Sequence, residues 1–184
     1  MEVALLSVLF VLYLTIRYYV MDHDTPADKD KIRFRKGLEL IKKRAFAEAH
    51  QYFDEAVRLY PKSALAYAYR GKCHLAQDNY YSAIYDLTQA VNRDNTLADC
   101  YLDRGIAFYH IDEFTSAFRE FDKAVWHFRD EQPDAYRWRA LARIQVRQLP
   151  QAESDLRRAV SLGDENSFHL LLQPPFTPPV YQRK

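Results

Sequence analysis

The sequence predicts an all-α protein built from stacked helical hairpins, and three recurring landmarks carry that prediction. Glycine recurs at intervals of 34 residues, at Gly37, Gly71 and Gly105. Two alanine positions recur at intervals of 34, 34 and 35 residues, namely Ala49, Ala83, Ala117 and Ala152, and then Ala56, Ala90, Ala124 and Ala159. Because one period governs three independent positions, the chain is predicted to be a repeat array.

Small residues are expected where the two helices of a hairpin cross. Glycine inside a helix costs about 1 kcal/mol relative to alanine, so its recurrence at one phase indicates that close backbone approach outweighs helix propensity. The stretch from 64 to 95 shows the unit most clearly, as two short amphipathic helices around a turn at 77–79. There Gly71 would lie at the crossing on the first helix, with Ala83 and Ala90 on the second.

The period and its residues resemble the tetratricopeptide repeat (TPR), whose signature is W-x2-L-G-x2-Y, then A-x3-F, then Pro. The matching residues are Tyr67 with Gly71, Tyr101 with Gly105 and Phe108, Ala49 with Phe53, Ala117 with Phe121, and Pro61. The last repeat departs from the pattern, with Ala140 in place of glycine, no closing proline and one extra residue. The resemblance implies a right-handed solenoid of four repeats, at 30–61, 64–95, 98–129 and 133–164.

Local signals mark where the helices of these repeats begin. Ser63, Thr96 and the Gln132–Pro133 step are expected to open first helices, and Thr96 with Asp99 forms a pair like a capping box. Asp78 and Asp112 are expected to cap second helices.

Composition points to recognition and not to catalysis. The chain has 184 residues with 26 basic and 25 acidic side chains, so it lacks the basic field expected of a nucleic-acid-binding protein. It has only 4 glycines and no phosphate-loop, G-x-S-x-G, H-E-x-x-H or cysteine-cluster motif. His74 and Asp78 are spaced as a metal could use, but a third ligand is missing. We therefore expect no catalytic residue, no metal and no cofactor.

The two cysteines are predicted to be reduced core residues. Cys73 and Cys100 fall on the first helices of adjacent repeats, at phases that differ by seven residues or about 10 Å along the helix axis. A disulfide requires Cα atoms within about 7 Å.

Residues 1–21 are predicted to be a transmembrane signal anchor. The run from Val3 to Met21 is 19 residues, about 28 Å of helix, close to the hydrocarbon core of about 30 Å. Arg17, Tyr18 and Tyr19 suit the membrane–water boundary. A cleaved signal peptide lacks support because the start is not basic and no A-x-A site follows. A buried N-terminal helix is the other alternative.

The lysine and arginine distribution predicts the orientation of that anchor. None precedes the apolar run, whereas Arg17, Lys29, Lys31, Arg33, Arg35 and Lys36 lie within it or follow it. The positive-inside rule therefore places the repeats on the cytoplasmic side. The linker at 22–29 is short, so the solenoid should lie at the membrane surface. The basic residues at 29–36 are either a contact for anionic headgroups or a solvated helix face.

The resemblance implies that first helices line a concave groove that binds a peptide or protein partner. The residues expected there are Phe34, Tyr69, Lys72, Asp99, Asp103, Tyr109, Arg137 and Trp138. The alternative for the aromatic rings is helix-to-helix packing. Relatives that grip acidic chaperone C-termini use a clamp of Lys, Asn and Arg. The corresponding places in this chain hold no asparagine, and Asp103 would repel a carboxylate, so the sequence argues against a chaperone tail.

Residues 165–184 are predicted to be a short cap followed by a proline-rich tail, which either packs on the last repeat or serves as a ligand for a groove elsewhere. The whole chain is predicted to be a membrane-anchored scaffold or adaptor. The alternative function is a constitutive structural subunit or assembly factor of a larger membrane complex, and a mitochondrial outer-membrane receptor has the same layout.

Overall fold

The computed structural model describes residues 2–20 and 26–176, with side chains described at 6–18 and 28–176. The described chain is helical and contains no strand. Its helices are α1 (Glu2–Val20), α2 (Pro26–Arg33), α3 (Arg35–Lys42), α4 (Phe46–Leu59), α5 (Ala64–Ala76), α6 (Tyr80–Arg93), α7 (Ala98–His110), α8 (Phe114–His127), α9 (Pro133–Gln145), α10 (Leu149–Ser161) and α11 (Glu165–Leu171). The predicted all-helical solenoid is confirmed.

Consecutive helices pack as hairpins, α3 with α4, α5 with α6, α7 with α8 and α9 with α10. Each second helix also packs against the first helix of the next hairpin. The first helices α5, α7 and α9 contact one another in succession. We call the surface that these three helices share the inner surface.

The recurring glycines lie where the helices of a hairpin cross. A Cβ atom added at Gly105 would lie 2.5 Å from the ring of Phe121, and one at Gly71 would lie 2.8 Å from Leu87. These distances are shorter than a methyl group can accept, so the predicted close crossing is confirmed. In the last hairpin the equivalent residue is Ala140, which is fully buried in a cluster with Ala152 and Leu156.

The core repeats with the same period. Phe53, Leu87, Phe121 and Leu156 lie at equivalent places on the second helices, and each is fully buried. Each hairpin alone would leave its apolar face exposed, and stacking closes one face on the next.

The turn inside each hairpin contains a residue with a positive φ angle. These residues are Arg44 (59°), Asp78 (60°), Asp112 (62°) and Arg147 (64°). The prediction that Asp78 and Asp112 cap the second helices is therefore wrong. Asn79 and Glu113 occupy the N-cap positions, and neither makes a side-chain cap.

Two of the three predicted first-helix starts are confirmed. The Ser63 hydroxyl accepts a hydrogen bond from the Ala66 amide at 3.1 Å, and α9 starts with Pro133 after Gln132. At α7 the N-cap is Leu97 without a side-chain cap, so the predicted Thr96 capping pair is wrong. The Thr96 hydroxyl donates to Asp94 instead, at 2.6 Å.

Helix α11 covers the end of the solenoid. Leu170 and Leu171 pack against the cluster formed by Ala140, Ala152 and Leu156, and Phe176 joins them. The first part of the tail therefore packs on the last hairpin. The remainder of the predicted proline-rich tail, 177–184, lies outside the described residues.

The described side chains of α1, from Leu6 to Tyr18, are exposed, and most are apolar. Across 2–20 and 26–176, no helix is both long enough and apolar enough to cross a membrane. The described structure thus does not support the transmembrane helix predicted at 1–21.

Candidate protein-binding groove

The inner surface is held together by side chains that reach from one first helix to the next. Lys72 on α5 donates to Asp103 on α7, with Nζ 3.2 Å from Oδ2. Gln145 on α9 donates to the Tyr109 hydroxyl on α7 at 3.3 Å. These contacts join three successive repeats and bring together residues that are 31 and 36 positions apart in the chain.

Tyr69, Lys72, Asp99 and Asp103 form one group on this surface, which we call the Lys72 cluster. Asp103 is buried, and burial raises the pKa of its carboxyl although the charge of Lys72 opposes the shift. The charge of Asp103 in turn raises the pKa of Lys72. Burial, followed by the nearby charge of Asp99, raises the pKa of the Tyr69 hydroxyl. The cluster therefore presents a half-buried phenol, a fixed ion pair and one exposed carboxylate.

Tyr109, His110, Trp138 and Gln145 form a second group, the Trp138 cluster. The Trp138 ring lies 5.5 Å from the Tyr109 ring and 6.0 Å from the His110 ring, both edge-to-face. Its other contact is with the buried ring of Phe121, stacked at 6.1 Å. Trp138 is only partly buried. The indole is thus both packed between helices and presented at the surface in one orientation, as a binding anchor must be.

Arg137 is directed toward the end of the solenoid. Its guanidinium donates to Asp134 in the same helix and to Asp164 at 2.5 Å. Asp164 is the N-cap of α11 and accepts from the Ser167 amide at 2.9 Å. Burial alone would raise the pKa of Asp164, but hydrogen bonds from Ser167 and Arg137 lower it. Arg137 therefore has a structural role in attaching the cap.

The prediction that Phe34 lines the groove is wrong. Its ring is 1% exposed and packs edge-to-face against Phe53 and Tyr60. Ala68 and Leu102 lie at the same repeat phase, and both are buried. This phase therefore faces the hairpin interior, and the groove-facing phase begins one residue later, at Tyr69 and Asp103.

Sequence reasoning missed a set of arginines that we call the arginine ladder: Arg70, Arg104 and Arg139. Each donates to an acidic side chain sixteen residues later on the second helix of its own hairpin, namely Asp86, Glu120 and Asp155. Each also donates to the second helix of the preceding hairpin, through Asp54, Thr88 and Asp122, at 2.8, 3.0 and 2.7 Å. The sequence does contain a signal for this set, because each arginine directly precedes the recurring Gly or Ala of its first helix.

A histidine pair connects the first two hairpins. Nε2 of His50 lies 3.3 Å from Nε2 of His74. Burial lowers the pKa of His74, and so does the charge of His50. Within the described residues, no group of three or more His, Cys, Asp or Glu side chains is arranged to hold a metal ion.

Both cysteines are free and buried, as predicted. Burial raises the pKa of Cys73 to about 12 and also raises the pKa of Cys100.

Comparison with solved structures shows which fold this is. The first TPR of Spaghetti (RPAP3), bound to the HSP90 peptide SRMEEVD, matches 60% of this chain and 88% of its own, with a TM-score of 0.57 and 24% identity. The described repeats have the TPR fold. The Arabidopsis OM64 TPR domain matches 65% of this chain and 98% of its own, with a TM-score of 0.59 and 22% identity. A crystal structure of MamA matches 69% of this chain and 74% of its own, with a TM-score of 0.63 and 22% identity.

Curated proteins match a shorter part of the chain. The Hsp70-Hsp90 organizing protein of Triticum aestivum is 25% identical over 99 residues, which are 54% of this chain and 16% of that protein. The SGT1 homolog of Oryza sativa subsp. japonica is 29% identical over 85 residues, which are 44% of this chain and 23% of that protein. The chain thus spans less than a quarter of these relatives. No family model matches it.

These similar proteins include an Hsp70-Hsp90 organizing protein and a TPR domain with a bound HSP90 peptide. The comparisons agree with the prediction that this chain is a binding protein without catalytic activity.

Proposed function

We propose that the inner surface of α5, α7 and α9 binds a segment of a partner protein. One observation carries the proposal. Trp138 is held in a single orientation by Phe121, Tyr109 and His110 and is still partly exposed on the surface that α9 shares with α5 and α7. Aromatic side chains fixed in this way are the usual energetic centres of protein interfaces, because they lose little conformational freedom on binding.

The Lys72 cluster would set the polarity of the bound segment. The ion pair between Lys72 and Asp103 already satisfies both charges, whereas Asp99 is exposed. A segment that places an apolar side chain on Trp138 and a hydrogen-bond donor on Asp99 fits this arrangement. We therefore expect a mixed apolar and basic segment to bind better than an acidic one.

The comparisons bear on the alternative, an acidic chaperone tail. The similar RPAP3 domain is bound to an HSP90 peptide, and two similar plant proteins are named Hsp70-Hsp90 organizing proteins. The sequence argument against such a tail used repulsion by Asp103, and that repulsion is weakened by Lys72. The prediction against a chaperone tail stays a prediction. It is tested by measuring binding of the peptide SRMEEVD to the purified chain.

Site-specific photo-crosslinking tests the inner surface directly. A photoreactive phenylalanine analogue at Tyr109 lies on α7 within the Trp138 cluster, and the matched control at Tyr85 lies exposed on the second helix α6. In cells, Tyr109 should form a crosslink to a discrete partner segment and Tyr85 should not. Crosslinks at Tyr85 alone would reject the proposed surface.

We also propose that α1 attaches the chain to a membrane with the repeats on the cytoplasmic side. Two features support this proposal. The described side chains of α1 are exposed around the helix, and apolar ones such as Leu9, Phe10 and Val11 are more than half exposed. A helix that is apolar all round requires an apolar environment. Basic residues also cluster on the C-terminal side of the apolar run, at Arg17 in the last turn of α1 and at Lys29, Lys31 and Arg33.

Membrane attachment is tested by carbonate extraction of the full chain and of a variant without residues 1–21. The full chain should stay with the membrane pellet and the variant should be released. Protease added to intact organelles or cells should then report the side on which the repeats lie. Equal extraction of the two chains would reject attachment through α1.

A second candidate function, a permanent subunit or assembly factor of a membrane complex, is favoured by aromatic side chains outside the inner surface. Tyr81 and Tyr85 on α6 and Trp126 on α8 are 77%, 62% and 75% exposed. Detergent extraction followed by native electrophoresis and mass spectrometry separates the two functions. A subunit would migrate with its partners at constant stoichiometry, and an adaptor would not.

A further inference from the structure

We infer that the cavity between α2 and the turn after α4 binds the phosphate of an anionic lipid headgroup. The inference rests on the proposed membrane attachment through α1. The cavity has a volume of about 590 Å³ and is lined by Lys29, Asp30, Arg33, Leu59, Tyr60, Pro61, Lys62 and Ser63. Its cationic side chains come from two segments about thirty residues apart, so the fold and not the local sequence brings them together.

The charge of the lining suits an anion. Three side chains in the wall are cationic, Lys29, Arg33 and Lys62, and the one carboxylate is Asp30. Asp30 is buried, with Arg33 bound at one carboxylate oxygen and the Ser63 hydroxyl at the other, 2.5 Å away. Because both oxygens are engaged inside the protein, this carboxylate orders the wall, and cationic side chains outnumber it in the lining.

Arg33 is held in place for such a contact. Its guanidinium lies over the Tyr60 ring, 4.3 Å from the centroid, in addition to its bond to Asp30. A guanidinium fixed on two sides loses little freedom when it binds phosphate. Ser63, which anchors Asp30, also caps α5, so the wall is continuous with the first TPR hairpins.

The rim of the cavity is apolar and exposed. Of the lining residues, Leu59 is 64% exposed and Tyr60 is 38% exposed. Apolar and aromatic side chains beside lysine and arginine are typical of segments that lie in the boundary region of a bilayer. A soluble anion would contact the basic residues alone, whereas a lipid would also cover this rim.

The position in the chain favours a lipid as the occupant. Helix α1 ends at Val20 and α2 begins at Pro26. Five intervening residues reach at most about 20 Å. If α1 inserts into a bilayer, α2 and its cavity must therefore lie close to the headgroups.

Flotation of the full chain with vesicles tests the inference. The vesicles contain phosphatidylcholine alone or phosphatidylcholine with phosphatidylserine. The variant is Lys29→Gln with Lys62→Gln, and the matched control with the same change in net charge is Lys42→Gln with Lys43→Gln, both exposed at the other end of α3. Circular dichroism establishes that all chains are folded.

The wild type and the control should bind the vesicles with phosphatidylserine more tightly than neutral vesicles. The variant Lys29→Gln with Lys62→Gln should bind the vesicles with phosphatidylserine about 25-fold more weakly than the wild type, since each lysine near an anionic surface contributes a factor of about five to the affinity. It should keep its binding to neutral vesicles, which depends on α1. An equal loss in the control would overturn the assignment to this cavity.

Two further outcomes are distinguishable. If no chain binds neutral vesicles, membrane attachment through α1 fails, and the headgroup inference fails with it. In the second outcome, the chain keeps its binding to neutral vesicles but loses its extra affinity for phosphatidylserine vesicles when inorganic phosphate is added at constant ionic strength. In that case the cavity binds free phosphate and the lipid assignment is wrong.

Discussion

At the residue scale, Asp103 shows how burial and a single partner set the charge of the inner surface. Its carboxylate lies 3.2 Å from Lys72 and is otherwise withdrawn from water. Burial disfavours the ionised form, and the lysine only partly offsets that cost. The ion pair therefore stiffens the surface between α5 and α7 without stabilising the fold strongly.

Replacing Asp103 with Asn should change the pH dependence of stability in a defined direction. The folded-state pKa of Asp103 is raised, so the folded protein holds this proton more tightly than the unfolded chain does. The free energy of unfolding of the wild type, relative to Asp103→Asn, should thus fall as the pH rises from about 4 toward 7. Lys72 stays protonated over that range. Thermal unfolding of both chains at several pH values measures the difference, and a difference that rises with pH would contradict it.

The two thiols should be unreactive in the folded protein. Both are buried, and burial raises the pKa of Cys73 to about 12. Since the thiolate is the reacting form, a chromogenic disulfide reagent near neutral pH should react with neither cysteine until denaturant unfolds the chain, when both should react. Rapid labelling of either thiol before unfolding would show that the region between α5 and α7 opens.

At the element scale, the arginine ladder connects neighbouring hairpins. Arg104 bonds to Glu120 on α8 and to Thr88 on α6, so it joins three helices. The packing of α7 against the preceding hairpin therefore depends on a buried polar contact as well as on apolar burial.

The substitution Arg104→Met should lower the free energy of unfolding by about 3 kcal/mol, because it leaves the buried carboxylate of Glu120 without its main partner. Lys123 keeps a contact with Glu120 at 2.9 Å and limits the loss. The matched control is Arg157→Met, which breaks an exposed pair with Glu153 and should change stability by less than about 1 kcal/mol. Chemical denaturation measures both, and equal effects would show that burial of the ladder contributes nothing.

The sequence predicted hairpins well because their crossings demand small side chains. Gly71 and Gly105 leave a visible period, since no larger residue fits against Leu87 or Phe121. The turns were predicted poorly for the opposite reason. A single left-handed residue closes each hairpin, and that place accepts arginine at 44 and 147 as readily as aspartate at 78 and 112.

At the scale of the whole molecule, the candidate site could be predicted only in part. The residues that face the inner surface can be found by counting from the recurring glycine or alanine of each first helix. This count assigns Tyr69, Lys72 and Trp138 to the inner surface. The same count could not show that the position of Phe34 faces the core, whereas the position one residue later, occupied by Tyr69 and Asp103 in the next repeats, faces the inner surface. Nor could it show that Arg137 is engaged by the cap residue Asp164, because that contact joins the solenoid to a segment outside the repeat.

The described repeats are therefore a stack of hairpins with two different ends. The inner surface offers a fixed indole and a fixed ion pair, and a basic cavity lies between α2 and the turn after α4. We propose that partner proteins bind on the inner surface and not on the second helices.

Binding at the inner surface is tested by measuring how tightly the purified full chain, Trp138→Ala and the control Trp126→Ala bind the crosslinked partner segment. Trp138 lies in the inner surface, whereas Trp126 lies exposed on α8. Loss of a central aromatic anchor costs about 2 kcal/mol or more, so Trp138→Ala should raise Kd at least about tenfold, while Trp126→Ala should leave it within about twofold. The reverse pattern, with binding lost in Trp126→Ala and kept in Trp138→Ala, would show that partners bind on the second helices instead.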